Sequence, residues 1–321
     1  MAVIYISNGG IKAGILTDVG GRIVSFQRIN GENVLESDPS LWDEPTEQRI
    51  IPTPHTLDFK AYNGHEVWVG PQSHWWKQQD LNEEKLSSAL FWPPDPFISF
   101  GKYTILEQSE ARIVLQSDIS PISGIIITKE IKINEEGKLH FTATIQNKRS
   151  IAVSWDIWFV TRVNGHNPNF VPINSSEEVT LSEPSHPYQG RPRYKTEDGF
   201  FSFTPLDKDS DFEECTGKAF IRSNHPLIAT VCGNELFVLQ YIHHNPEAIH
   251  PEQSEIELYN FVHEKREMSL LELEYHSPFK TLQPEEKMSS EMSWELIALN
   301  NIKEENEIKK ILTTFANYKE N

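Results

Sequence analysis

Between residues 101 and 148 the chain repeats one short pattern four times. GKYTILEQS, ARIVLQSDI, SGIIITKEIKIN and KLHFTATIQNK each lean towards apolar residues at alternate positions and are separated by turn residues. Side chains i and i+2 of a strand share a face, so alternation of period two suits a half-buried strand and is of no use to a helix. In KLHFTATIQN that face carries Leu139, Phe141, Ala143 and Ile145. Strands at roughly ten-residue spacing with turns between them are the mark of an antiparallel meander, and so of a sandwich or barrel.

The pattern extends in both directions. Residues 2–7, 11–17 and 22–29 are short Val/Ile-rich runs parted by Asn8-Gly9-Gly10 and Val19-Gly20-Gly21, which predict strands joined by tight turns. AVSWDIWFVTRV sets Trp155 and Ile157 on one face and Asp156 and Trp158 on the other. Further strands are expected at GFFSFTP, KAFIRS, LIATVCG, ELFVLQYIH, EIELYNF, MSLLELEYHSPFKTL and MSSEMSWELIAL. Residues 36–61 and 164–199 are proline-punctuated loops. Only about 304–318 has helical spacing, with Ile308, Ile311, Leu312 and Phe315 on one stripe. With about eighteen strands, one helix and no low-complexity linker, residues 1–321 are expected to form a single large antiparallel β-sandwich domain with a C-terminal helix.

Composition narrows the partners. A formal net charge of −18 opposes nucleic acid and anionic membrane surfaces. No apolar run reaches the length of a membrane-spanning helix. The N-terminus lacks a basic stretch followed by a long apolar one, so the cytoplasm is the expected location unless an export signal has been removed. Cys215 and Cys232 form no C-x-x-C motif and are read as thiols before a disulfide. His243-His244 and His250 lack helical i, i+4 spacing, and adjacent strand residues face opposite ways, so no metal is expected there. No Gly-rich phosphate loop and no G-x-S-x-G elbow occurs, and no cofactor is expected.

Residues 62–98, YNGHEVWVGPQSHWWKQQDLNEEKLSSALFWPPDPFI, hold four of the eight tryptophans: Trp68, Trp75, Trp76 and Trp92. Gly64, Gly70, Pro71, Pro93, Pro94 and Pro96 exclude regular helix or central strand over most of this stretch. Such aromatics either pack as a lid, at about 25 cal/mol per Å2 of apolar area buried, or line a cleft for a flat, partly apolar ligand such as a sugar ring. In LLELEYHSPF, Glu272, Glu274 and His276 fall in one row on one strand face. That face must meet solvent or a polar cleft, because an apolar core would not hold two carboxylates and an imidazole. Asp156, in an otherwise apolar strand, needs a partner if buried, and Arg162 and Arg193 are the candidates. His65, between Gly64 and Glu66, is a candidate donor to a ligand oxygen.

Three segments taken together carry a resemblance: GGRIVSFQRINGENVL, NGHEVWVGPQSHWW…FWPPDPF and LLELEYHSPFKTLQPEEKMSSEMSWEL. In this order they resemble an uncharacterised family within the galactose-mutarotase-like (aldose 1-epimerase-like) supersandwich proteins. The resemblance implies a carbohydrate ligand. In active members a glutamate on the late strand takes the proton of the anomeric hydroxyl while a histidine protonates the ring oxygen. Carried over by position, the base is Glu274 or Glu272, with Glu274 preferred as nearer the strand's exit; the acid has no histidine at its matching position, and His65 or His74 is expected to take that role. Trp68, His74, Trp75, Trp76, Asp156 and His276 would contact the sugar, with Arg191 and Arg193 reaching its hydroxyls or a carboxylate. Two departures stand out. SWDIWF places Asp156 about where a catalytic histidine is expected, and Asn63-Gly64-His65 only echoes the early histidine-glycine-glycine motif. A non-catalytic sugar-binding or sensing protein using the same cleft is the alternative reading.

Overall fold

The computed structural model describes residues 3–182, 192–204, 215–263, 268–300, 302 and 304–316. The chain opens with strands β1 (Ile4–Asn8), β2 (Ile11–Leu16), β3 (Arg22–Arg28) and β4 (His65–Gly70), followed by the short helices α1 (Glu83–Ser87) and α2 (Pro96–Ser99). The predicted meander is β5 (Tyr103–Gln108), β6 (Arg112–Ser117), β7 (Ile125–Ile133) and β8 (Leu139–Asn147), and the long β9 (Val153–Asn164) follows it. Next come β10 (Asn169–Pro172), β11 (Val179–Leu181), β12 (Tyr194–Glu197), β13 (Phe200–Phe203), β14 (Cys215–Ile221), β15 (Leu227–Cys232) and β16 (Glu235–Tyr241). The chain closes with β17 (Ile256–Val262), β18 (Leu270–His276), β19 (Lys280–Leu282), β20 (Lys287–Ala298) and helix α3 (Glu305–Ala316).

These strands form two ten-stranded antiparallel sheets. The first runs β1-β2-β3-β4-β9-β18-β17-β14-β11, with β19 pairing to β9 off that path. The second runs β12-β13-β10-β15-β16-β20-β8-β7-β6-β5. Their inner faces make the main core, in which Leu139, Phe141, Ala143 and Ile145 are all buried, as the alternation in the sequence requires. Each such side chain contributes about 1.5–3 kcal/mol when fully buried. The β1–β2 hairpin closes through Gly9 and Gly10, both at positive φ, where a side chain would strain the backbone.

One local expectation changes. The aromatic stretch contains β4, a central strand, because Gly64 precedes it and Gly70-Pro71 ends it, leaving the residues between free of breakers. Lys129 breaks the apolar inner row of β7. It is buried against the turn before β3, donating to Gly20 O (2.6 Å) and Gly21 O (3.3 Å), and burial lowers it to about 7. Cys215 and Cys232 are both free thiols, Cys215 buried and Cys232 half-buried. Helix α3 lays the predicted stripe on the outer face of the second sheet, where Ile308 and Leu312 join Leu227, Leu236 and Val238 in a second apolar cluster. No helix among the described residues is long and apolar enough to cross a membrane.

Candidate active site

Five neighbouring strands of the first sheet turn polar and aromatic side chains to the outer face. Register brings them together: Trp68 of β4 lies opposite Trp158 of β9, which lies opposite His276 of β18. Glu274 lies opposite Glu257 of β17, and Lys218 of β14 lies opposite Tyr259, one step along the same face. Gly70 lies opposite Asp156. A Cβ on Gly70 would sit 2.6 Å from Asp156 Oδ1, so only glycine lets this carboxylate lie flat on β4. The Gly70 N–H donates to that same oxygen at 3.0 Å.

The centre of the face is a polar network buried except at Lys218. Lys218 Nζ lies 2.6 Å from Glu257 Oε2 and 3.0 Å from Glu274 Oε2. Trp158 Nε1 donates to Glu274 Oε2 at 2.8 Å, and the Lys218 ammonium lies 4.9 Å from the centre of the Trp158 ring. His276 is held between two carboxylates, with Nε2 3.6 Å from Glu257 Oε2 and Nδ1 3.5 Å from Asp156 Oδ1. Gln253 Nε2 lies 2.9 Å from His276 Nδ1, and the Ser254 N–H donates to Glu257 Oε1. Asp156 Oδ2, Gln253 Oε1 and Glu274 Oε1 are buried and have no hydrogen-bond partner. Native interiors leave few such atoms. A half-turn of the Gln253 amide would present its oxygen to an imidazolium N–H.

Charge follows from this packing. Burial raises Glu274 above the usual carboxylate range, and Lys218 only partly opposes it. Glu257 goes the other way: burial would raise it, but Lys218 and His276 outweigh that and lower it. Burial would lower His276, yet Glu257 and Asp156 prevail and lift it to about 9. At neutral pH the face therefore presents a carboxyl poised to exchange its proton beside an imidazolium that retains its own. Glu257, Glu274 and His276 each bring one ligand atom within 4.8 Å of the others. This donor set would suit a small divalent cation, and the sequence did not announce it. The Lys218 ammonium, however, already supplies the compensating charge at the same oxygens.

Tryptophans seal the network. Trp68 makes edge contacts with Trp158 at 5.1 Å and Trp75 at 5.5 Å, and Trp75 stacks on Trp158 at 5.8 Å. Trp92 meets Trp68 at 6.1 Å and is 46% exposed. Glu274 and His276 have no exposure at all, so the partly exposed Lys218 is the network's outlet to solvent.

The structure sorts the residues singled out from sequence. Glu274, His276, Asp156, Trp68 and Trp75 come together at this site. Glu272 shares the face but is held by Arg162, with Nε 2.7 Å from its Oε1. Asp156 takes the Gly70 N–H and His276 as partners in place of Arg162 or Arg193. His65 is corrected outright, because strand alternation turns it to the opposite, inner face. There its Nδ1 meets Thr161 Oγ1 at 2.9 Å and its ring packs on Phe141 and Trp294, with burial lowering it well below the usual histidine range. Trp76 is buried within the loop, donating to Pro93 O at 2.8 Å. His74 lies half-buried against His250 and Phe279. Arg193 is exposed beside β12, and Arg191 lies outside the described residues.

Lys218, Glu257, Gln253 and Trp158 were not singled out as site residues. Trp158 had a signal, since it shares a strand face with Asp156. Lys218 in TGKAFI and Glu257 in EIELYNF are charges in mostly apolar strands, the same cue that drew attention to Asp156.

This architecture is that of the galactose-mutarotase-like sandwiches. A protein named "putative aldose 1-epimerase" from Escherichia coli K12 superposes with a TM-score of 0.61 at 11% identity, over 93% of this chain and 99% of that one. A galactose mutarotase-like protein from Lactobacillus casei gives 0.58 at 13%, over 92% and 100%. One from Clostridium acetobutylicum gives 0.53 at 14%, over 92% and 94%. At these identities the likeness establishes the fold. Residues 1–297 match the family described as "Domain of unknown function (DUF4380)", and the chain belongs to that family. No curated protein matches the sequence.

Proposed function

We propose that this protein binds a sugar at the Glu274–His276 face and interconverts its anomers by acid–base ring opening. The observation that carries this reading is a buried carboxyl and a buried imidazole two residues apart on one strand, sharing one face. Glu274 is raised towards neutrality and has a free oxygen, while His276 is held as an imidazolium. Glu274, in its ionised form, takes the proton of the anomeric hydroxyl as the C1–ring-oxygen bond breaks, and His276 delivers a proton to that ring oxygen. Rotation about C1–C2 and the reverse transfers close the ring as the other anomer, restoring both groups. Lys218 must leave Glu274 to admit the sugar, and the tryptophans around Trp158 supply an apolar wall for its ring. The names of the structural relatives favour this substrate class.

The test is proton NMR of anomer exchange across a panel of common aldoses. Exchange faster than the buffer blank, and lost in Glu274→Gln, is the expected result. The Lys218–Glu274 ion pair over a closed face favours a second reading, a sugar-binding protein without turnover. Binding without faster exchange would establish that reading in place of the first.

A further inference from the structure

A large open cleft among the described residues lies away from the Glu274–His276 face. It lies across the sandwich, on the outer face of the second sheet, where β8, β16 and β20 run side by side and the end of α3 forms a wall. Its volume is about 1080 Å3, beyond the roughly 300–1,000 Å3 typical of small-molecule sites. A hollow of about 120 Å3 shares Thr142, Ile242 and Glu291 with it, so the depression continues along the strands.

The lining is mixed in a way that suits one kind of ligand. Thr142, Gln240, Ser293 and His243 offer hydroxyl, amide and imidazole groups, while Ile242 and Phe315 give apolar contact, Ile242 at 52% exposure. The only lysine in the lining, Lys138, donates to Gln240 Oε1 at 3.0 Å, and Glu291 and Glu295 stand on the same surface. Such a lining repels a polyanion and matches a neutral polyhydroxylated chain, whose hydroxyls find donors and acceptors while its C–H faces lie on isoleucine and phenylalanine.

One residue in the cleft is held for contact. His243 Nδ1 lies 2.6 Å from Oε2 of the buried Glu255, whose other oxygen accepts the His244 backbone N–H at 2.6 Å. A buried carboxylate on Nδ1 fixes the ring and leaves Nε2 as the edge available to a ligand. We propose that this cleft is a second ligand site that binds a neutral oligosaccharide, with His243, oriented by Glu255, as a principal polar contact. The proposal stands independently of the anomerase reading.

Isothermal titration of the full chain with maltohexaose, cellohexaose, xylohexaose and chitohexaose tests it. At least one is expected to bind with a Kd of about 1 mM or tighter, and His243→Ala to weaken it by about tenfold. Thr142→Arg fills the cleft from a half-buried position and should weaken binding at least as much, which keeps the test sound should His243→Ala fold poorly. Glu274→Gln should leave the affinity unchanged. Binding by none of the four, binding indifferent to Thr142→Arg, or binding lost in Glu274→Gln would each overturn the proposal, the last by moving the ligand to the other face.

Discussion

Two buried ionic networks lie on the same outer face of the first sheet, and they differ in completeness. In one, Arg22, Glu66, Arg162 and Glu272 form a chain in which Glu66 gives one oxygen to each arginine, at 3.0 and 2.5 Å. Arg22 places its remaining donors on the carbonyls of Val19, Asn63 and Ser99, and Arg162 turns to Glu272. The arginines hold Glu66 below the usual carboxylate range despite its burial. In the other, Glu257, Glu274, His276 and Asp156 are as deeply placed beside the partly exposed Lys218, yet buried oxygens of Glu274 and Asp156 lack partners and Glu274 is pushed up instead of down. A saturated network can only hold strands together. An unsaturated one retains capacity for a proton or a ligand, and the difference separates a strut from a site.

The largest effect expected is on turnover. Glu274→Gln should slow anomer exchange by about 10²-fold or more while leaving thermal stability equal or higher, since a neutral amide replaces a carboxyl that burial already disfavours in its charged form. Undiminished exchange in that variant would remove the site's claim to be different from the strut. Arg162→Met probes the other side of the comparison. It strands the buried Glu66 with half its compensation, and urea unfolding should show a loss of about 3–5 kcal/mol. Lys218→Met, measured in parallel, should lose less, because Glu274 can neutralise itself by taking a proton and Glu66, still beside Arg22, cannot do so as readily.

A third test uses pH. His276 is lifted from 6.5 to about 9 in the folded protein, so its contribution is complete below about 6.5 and is lost as pH rises to about 9, amounting to about 3 kcal/mol. The lowered Glu257 contributes in the opposite sense, present above its ordinary value of 4.5 and lost below it. Chemical denaturation across this range should therefore peak at mildly acidic pH, and His276→Asn should flatten the alkaline slope. A slope unchanged in that variant would place the titration elsewhere. The smallest effect belongs to Trp158→Phe, which deletes one N–H donor to Glu274 at a cost of about 1 kcal/mol. That donor favours the charged carboxylate, so its loss should move the acid limb of the pH–rate profile to higher pH, whereas a merely structural tryptophan would leave the limb in place.

Much of this was legible in the residues. Alternation in β7, β8 and β18 announced strands, and it placed Glu272, Glu274 and His276 in one row, because the i, i+2 relation is local to a strand. The helical stripe at Ile308 and Leu312 was equally local. His65 was misread for want of one local fact. Surrounded by Gly64 and Gly70-Pro71 it resembled a loop residue, yet it opens a central strand whose alternation buries it among Phe141, Phe159 and Trp294.

The sequence alone determined the strand pattern, the β-sandwich class and the placing of Glu272, Glu274 and His276 in one row on β18, since each rests on side-chain period within a few residues. Only the tertiary structure decided which of the two glutamates would keep an unpartnered buried oxygen and what would charge its neighbour. The register of β14, β17 and β18 set Lys218 and Glu257 against Glu274, while Arg162 on β9 claimed Glu272. Pairing between strands far apart in the chain is settled by burial of whole sheet faces, and no single strand carries that information in its own residues.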